Sequence, residues 1–450
     1  MRGFLASAVG VSCAAALALP LTLPTTTAAA APTTPTQESI PGSTQSLPLA
    51  PLTADRSAGG GAARQQGLPQ RDVRPFSLVG VVWNDPSVAL HGQVQVRTRA
   101  TGTTTWSAWQ DVETHNDDAP DPGTAEAAGR TLRGATAPLW VGDSDGVEVR
   151  VQAGGAPHAS DRGDTTAEPL PEGLRLELVD PGDEPGAQGA PADAPRTGAL
   201  SAETAAASAV NAELAPLGAT EIPALTKQQT EDALISARGG DTEGAQARPY
   251  IGPRPRIVTR KGWGADETLR ESQFLYTKSV KAAFVHHSAS GNNYRCSQAP
   301  SVIRSIYRYH VKSSGWRDIG YNFLVDKCGT IYEGRAGGVT KAVMGAHTLG
   351  FNTNTMGIAV LGSFGSSNPP ATAVKAISQL TAWKLGLYGA NPKGSTYLTS
   401  GGGNLYSKGK NVRLKVISGH RDGFATECPG RRLYNQLGTA RTTSAQLQGR

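Results

Sequence analysis

The stretch SGHRDGFATECPG, residues 418–430, sets a histidine, His420, eight residues ahead of a cysteine, Cys428, in a proline-glycine turn. That cysteine admits three readings: half of a disulfide, a small buried hydrophobe, or a thiolate ligand for a metal. His420 closes VRLKVISGH (412–420), whose apolar alternation predicts a strand. A loop of eight residues can return the sulfur to the imidazole at the strand's end.

The chain's export bears on the choice. MRGFLASAVGVSCAAALALPLTLPTTTAAAAPTTP at the N-terminus reads as a secretory signal, residues 1–30, with cleavage near Ala30. Pro20 and Pro24 interrupt its apolar run, and no later run is long enough to span a bilayer, so no membrane span is expected after cleavage. Beyond Cys13 of the signal, Cys296, Cys328 and Cys428 remain, an odd number for an oxidising compartment. Cys296 precedes a helical pattern and Cys328 lies in a turn after a strand, so these two can pair and leave Cys428 over; spacing alone leaves other pairings open.

Zinc would occupy such a thiol. One thiolate and two imidazoles hold it tetrahedrally, with the fourth position open to water. The second imidazole is sought in FVHHS, where His286 and His287 end a strand run, KAAFVHHSA (281–289). Neighbouring strand residues face opposite ways, so only one of the two can enter the site.

Composition divides the 450 residues. Residues 31–73 are rich in Thr, Pro, Ser, Gly and Ala and are expected as a flexible lead. Residues 74–180 carry FSLVGVVW (76–83), QVQVRTRA (93–100) and GLRLELVD (173–180), which predict a β-rich, sandwich-like domain. Its WSAWQDV (106–112) holds Trp106 and Trp109, read as packing before sugar stacking. Residues 181–250 return to Ala, Gly and Pro and are expected as a linker. Residues 251–450 show strands alternating with helices, among them SVIRSIYRYHV (301–311) and PATAVKAISQLTAWKLGLYG (370–389), an α/β domain with a mixed central sheet flanked by helices.

Charge follows the same division. Residues 1–250 hold 16 Lys+Arg against 29 Asp+Glu, a balance of −13, and residues 251–450 hold 27 against 8, a balance of +19. The basic half is suited to a polyanion. For an exported protein that means anionic cell-wall polymers; no nucleic-acid fold signature is visible.

FVHHSA, IYRYHVKSSGWRDIGYNFLVDKCGTIYEGR, GAHTLGFNTNTMGIAVLGSF and ISGHRDGFATECPG follow one another in an order and spacing that resemble the peptidoglycan recognition protein family and its zinc-dependent N-acetylmuramoyl-L-alanine amidases, over residues 255–440. The resemblance implies Zn2+ held by His286, His420 and Cys428, with Tyr321 of GYNF and Thr426 lining the reaction centre. It supports a Cys296–Cys328 disulfide. It implies a muramyl peptide of peptidoglycan as partner, with His287, His347 and Asn352 as candidate substrate contacts and a secreted or wall-associated location. Glu333 in YEGR is a weaker candidate for orienting a ligand or moving a proton. The expected reaction is hydrolysis of the amide between N-acetylmuramic acid and L-alanine. Rival readings are a recognition module without catalysis, a zinc peptidase of the stem peptide, for which no HExxH is present, and an adhesion protein working through residues 74–180.

Overall fold

Alternating valine and leucine first build an antiparallel sheet. The computed structural model describes residues 42–52, 65–114, 118–154, 168–183, 200–238 and 249–450. Its first eight strands are β1 (Ser43–Pro48), β2 (Ala50–Pro51), β3 (Gln65–Trp83), β4 (Gly92–Ala100), β5 (Gln110–Val112), β6 (Gly134–Ala135), β7 (Leu139–Ala153) and β8 (Arg175–Asp180). They form one sheet in the order β1-β8-β3-β7-β4-β5, with β2 and β6 added on β3. Register shifts between Leu68 and Arg71 and between Asp72 and Phe76 mark irregularities where the long β3 bends. Val81, Val94, Val96, Val149 and Leu176 meet in its core. Trp106 and Trp109 lie at the sheet surface, where Arg97 stacks on both and Arg150 sits 4.2 Å over Trp109.

Two expectations change here. The lead expected over 31–73 is structured wherever it is described, because Leu47, Leu49 and Leu68 anchor β1 and β3 to the core. The expected signal segment, 1–30, lies outside the described residues. The linker expected over 181–250 is replaced at 200–238 by α1 (Ala202–Ala209), β9 (Glu221–Ile222) and α2 (Lys227–Ala237). Ser201 caps α1, and Thr226 with Gln229 forms a capping box on α2. Leu214, Ala215, Ile222 and Leu234 then pack into the following domain. These apolar anchors are too scattered to show a period among the alanines.

The second sheet is mixed. Its strands are β9, β10 (Ile257–Val258), β11 (Ala282–His287), β12 (Phe323–Val325), β13 (Ile331–Glu333), β14 (Thr355–Val360) and β17 (Ile417–Gly419), in the order β17-β11-β14-β12-β13-β10-β9. The helix α3 (Ala299–Arg308) covers one face; α4 (Ala371–Leu387) and α6 (Leu437–Gln448) cover the other through Ile377, Leu380, Trp383 and Leu437. The stretch 391–411, whose role the sequence leaves open, leads into a hairpin of β15 (Ser395–Thr399) and β16 (Asn411–Lys415). It lays Leu398, Val412 and Leu414 against Phe284. The short α5 (Arg431–Tyr434) precedes α6, and a disulfide joins Cys296 to Cys328.

The β-rich domain does not hang from a tether. Leu78 and Val82 of β3, Trp140 of β7 and Val179 of β8 share a core with Val302, Ile303 and Ile306 of α3 and with Tyr309. Each such side chain contributes about 1.5–3 kcal/mol by leaving water. The buried Tyr309 hydroxyl donates to the Thr136 carbonyl at 3.1 Å, and Ser313 donates to Glu177 at 2.8 Å. Gly80 is glycine because a Cβ there would meet the Tyr309 hydroxyl at 2.4 Å. Residues Ser39–Arg450 accordingly form one compact unit.

Gly80→Val should therefore lower the stability of the whole unit by about 2 kcal/mol, through overpacking at this contact. Denaturant unfolding followed separately by a probe in the β-rich domain and a probe in the α/β domain would check it. Loss confined to one probe would mean that the two halves do not share a core.

Candidate metal centre

Strand direction assembles the centre. The parallel strands β11, β14 and β17 end together, with Val285 of β11 in register with Gly419 of β17. His286, the penultimate residue of β11, lies on the face of Ala282 and Phe284, and the last residue, His287, falls on the other, with Ala283 and Val285. His420 follows Gly419 directly, and the loop to Cys428 returns the thiol beside it. The metal-binding atoms of His286, His420 and Cys428 all lie within 4.8 Å of one another, and all three residues are fully buried. Cys428 Sγ is 3.7 Å from His286 Nδ1.

A second layer steers the imidazoles. Thr348 Oγ1 lies 3.4 Å from His286 Nε2 and 3.0 Å from His347 Nδ1, so one hydroxyl links the two rings. His347 is completely buried behind His286, its ring 5.3 Å away, and its other nitrogen faces Thr355. It stands as a support for His286 rather than as a group open to substrate. Asn352 Oδ1 accepts from the amides of His347 and Thr348 and fixes the same turn. Thr426 accepts from the Cys428 amide at 3.2 Å.

Burial sets the electrostatics. It holds His286 down to about 3, with His287 adding to the shift, and holds His420 and His347 well below the usual histidine range. It also pushes the Cys428 thiol well up, with Asp118 and Glu113 adding to it. The imidazoles are thus neutral and ready to donate lone pairs, while the thiolate needs a cation beside it. Neither ring nitrogen of His420 makes a hydrogen bond among the described residues. Two neutral imidazoles and a thiol that requires positive charge form a donor set that fits zinc.

The first domain also enters the centre, which the sequence reading did not foresee. Asp118, its side chain 2% exposed, places Oδ1 3.1 Å from His286 Nδ1 and 3.3 Å from His420 Nδ1. Its Oδ2 accepts the hydroxyl hydrogen of Tyr321. Glu113 lies 3.2 Å from His287 Nε2. Asn352 Nδ2 donates to the Ala119 carbonyl and to Asp121, both at 2.9 Å. Glu333 is elsewhere: its carboxylate accepts from Asn211 at 2.8 Å and from the Arg260 amide, and it touches none of the metal candidates.

Residues 276–431 match a family described as N-acetylmuramoyl-L-alanine amidase, and residues 28–172 match one described as Rv3811 N-terminal galactose-binding domain-like. Peptidoglycan-recognition protein SC2 of Drosophila simulans is 31% identical over 185 residues, 41% of this chain and 85% of that protein. A human N-acetylmuramoyl-L-alanine amidase is 27% identical over 227 residues, 49% of this chain and 33% of its own. The solved structure of Drosophila PGRP-LB aligns over 41% of this chain and 92% of its own, at 25% identity and a TM-score of 0.33.

Thr348→Val removes the hydroxyl that links His286 to His347 while keeping the shape. Zinc affinity, measured by competition with a chromophoric chelator, should fall about 10–100-fold; unchanged affinity would leave Thr348 without a role at the ligand. Glu333, pushed up to about 7 by burial, gives a second expectation. Its folded form keeps a proton that the unfolded chain releases near the ordinary glutamate value of 4.5. The stabilisation is complete below that value and is lost as pH rises towards 7, up to about 3 kcal/mol in all. Denaturant unfolding at the two ends of this window should show the loss in the wild type and a smaller one in Glu333→Gln.

Proposed function

The chain belongs to the peptidoglycan-recognition protein family, and on that premise we propose that it is an exported, zinc-dependent N-acetylmuramoyl-L-alanine amidase acting on cell-wall peptidoglycan. The observation that carries this reading is the convergence of His286, His420 and Cys428 in one buried centre with the Tyr321 hydroxyl aimed at the same point. A centre meant only to recognise a muramyl peptide has no need of a buried thiol. Among the described residues no helix is long and apolar enough to cross a membrane.

Bound there, zinc supplies Lewis acidity that polarises an amide carbonyl and makes water a stronger acid. The remaining work falls to side chains. His286 and His420, kept neutral by burial, present Nδ1 inward, and Thr348 fixes the ring of the first. Tyr321, 1% exposed and engaged with a carboxylate oxygen, is placed to donate to a substrate oxygen that carries negative charge as the amide is attacked. Thr426 holds the turn that presents Cys428. The basic balance of residues 251–450 favours approach to an anionic wall and its polymers.

Digestion of cell-wall sacculi tests the proposal, using the zinc-loaded full chain with Asp118→Ala so that no carboxylate fills the centre. Released material should be stem peptides with a free L-alanine terminus, identified by mass spectrometry. Adding Cys428→Ser should abolish both the zinc and the release, and adding Tyr321→Phe should slow release by about 10²–10³ with zinc retained. Cuts inside the stem peptide would replace the amidase by a peptidase; binding of sacculi without any cut would leave a recognition protein.

A further inference from the structure

Asp118 reaches the centre from the opposite half of the chain, and its distances have a recognisable scale. A tetrahedral zinc with bonds of about 2.0–2.1 Å to nitrogen or oxygen and about 2.3 Å to sulfur has ligand-to-ligand edges of about 3.3 Å, and about 3.6 Å where sulfur is one end. Asp118 Oδ1 lies 3.1 Å from one imidazole nitrogen and 3.3 Å from the other, and Cys428 Sγ lies 3.7 Å from the first. Oδ1 thus stands at the edge length of a fourth corner from both imidazole nitrogens. One carboxylate oxygen faces both of them at contact distance.

The neighbouring contacts point the same way. Besides Tyr321, the segment that carries Asp118 occupies two residues expected to touch substrate: Glu113 covers His287, and the Ala119 carbonyl with Asp121 takes Asn352. Asp121 also accepts from the Gly350 amide at 2.6 Å, and Glu126 pairs with Arg335 at 2.9 Å, so the segment is pinned at two further points after Pro120. A zinc centre closed by four protein ligands is structural in type, whereas a catalytic one keeps a position open.

Resting on the amidase reading, we propose that Asp118 is the fourth protein ligand of the metal and that the β-rich domain thereby holds the hydrolase in a latent form, opened when this segment leaves the groove. Hydrolysis then depends on the small fraction of molecules in which Asp118 has let go.

The experiment loads the full chain with Co2+, whose visible spectrum reports coordination, and adds azide as a probe of an open position. Wild type should show a four-coordinate spectrum that azide leaves unchanged; Asp118→Ala should keep one cobalt per chain and respond to azide. Asp121→Ala, which loosens the segment without altering a metal-facing atom, should respond as well and guards against a folding defect in the first variant. With zinc restored, both variants should release stem peptides at least about tenfold faster than wild type. A wild-type cobalt centre that binds azide as readily as Asp118→Ala overturns the proposal, whatever the amidase does. A closed wild type with open variants, none of which cuts sacculi, keeps Asp118 as the ligand and refutes the hydrolytic reading instead.

Discussion

Everything at the centre depends on one apolar contact, the face of β3, β7 and β8 pressed on α3. Leu78, Val82, Trp140 and Val179 leave water only by meeting Val302, Ile303 and Ile306, and that contact fixes where the 118–126 stretch can fall. The polar links around it, from Tyr309 to Thr136 and from Ser313 to Glu177, add direction more than strength. Remove the apolar face and no hydrogen bond near Asp118 has a frame to hold it.

The parts of this arrangement that lay in local pattern were legible. Strand runs ending in His286 and His420 announced a shared sheet edge, because parallel neighbours place their C-terminal ends together. An odd cysteine in a chain read as exported singled out Cys428, and the disulfide indeed takes Cys296 and Cys328. What the pattern left open, which of the histidine pair turns inward, was decided by the alternation that puts His286 with Phe284.

The docking of the two halves was harder to see, although one signal was present. In β3 every residue from Phe76 to Trp83 is buried, and FSLVGVVW has no polar alternation. A strand that is apolar on both sides must be covered on both sides. Asp118 itself had no such signal, since it sits in a turn-rich acidic run whose meaning comes from a contact made 168 positions away, at His286. Thr348 was hidden for the same reason: a hydroxyl next to a conspicuous histidine carries no periodicity. The charge imbalance between halves also takes on an internal meaning, because Arg335 of the basic half meets Glu126 of the acidic one.

The chain order of these residues matters for biogenesis. Synthesis proceeds from the N-terminus, and domains fold as units in that order. Asp118 precedes His286 by 168 positions and Cys428 by 310, so the carboxylate emerges before any of the other metal-facing atoms. The second half completes itself beside a first half already made, Asp118 is positioned once α3 has docked on β3, β7 and β8, and Cys428 is the last of the set to appear. On the proposed reading, the thiol that completes the centre joins it only after the carboxylate that would close it has been made.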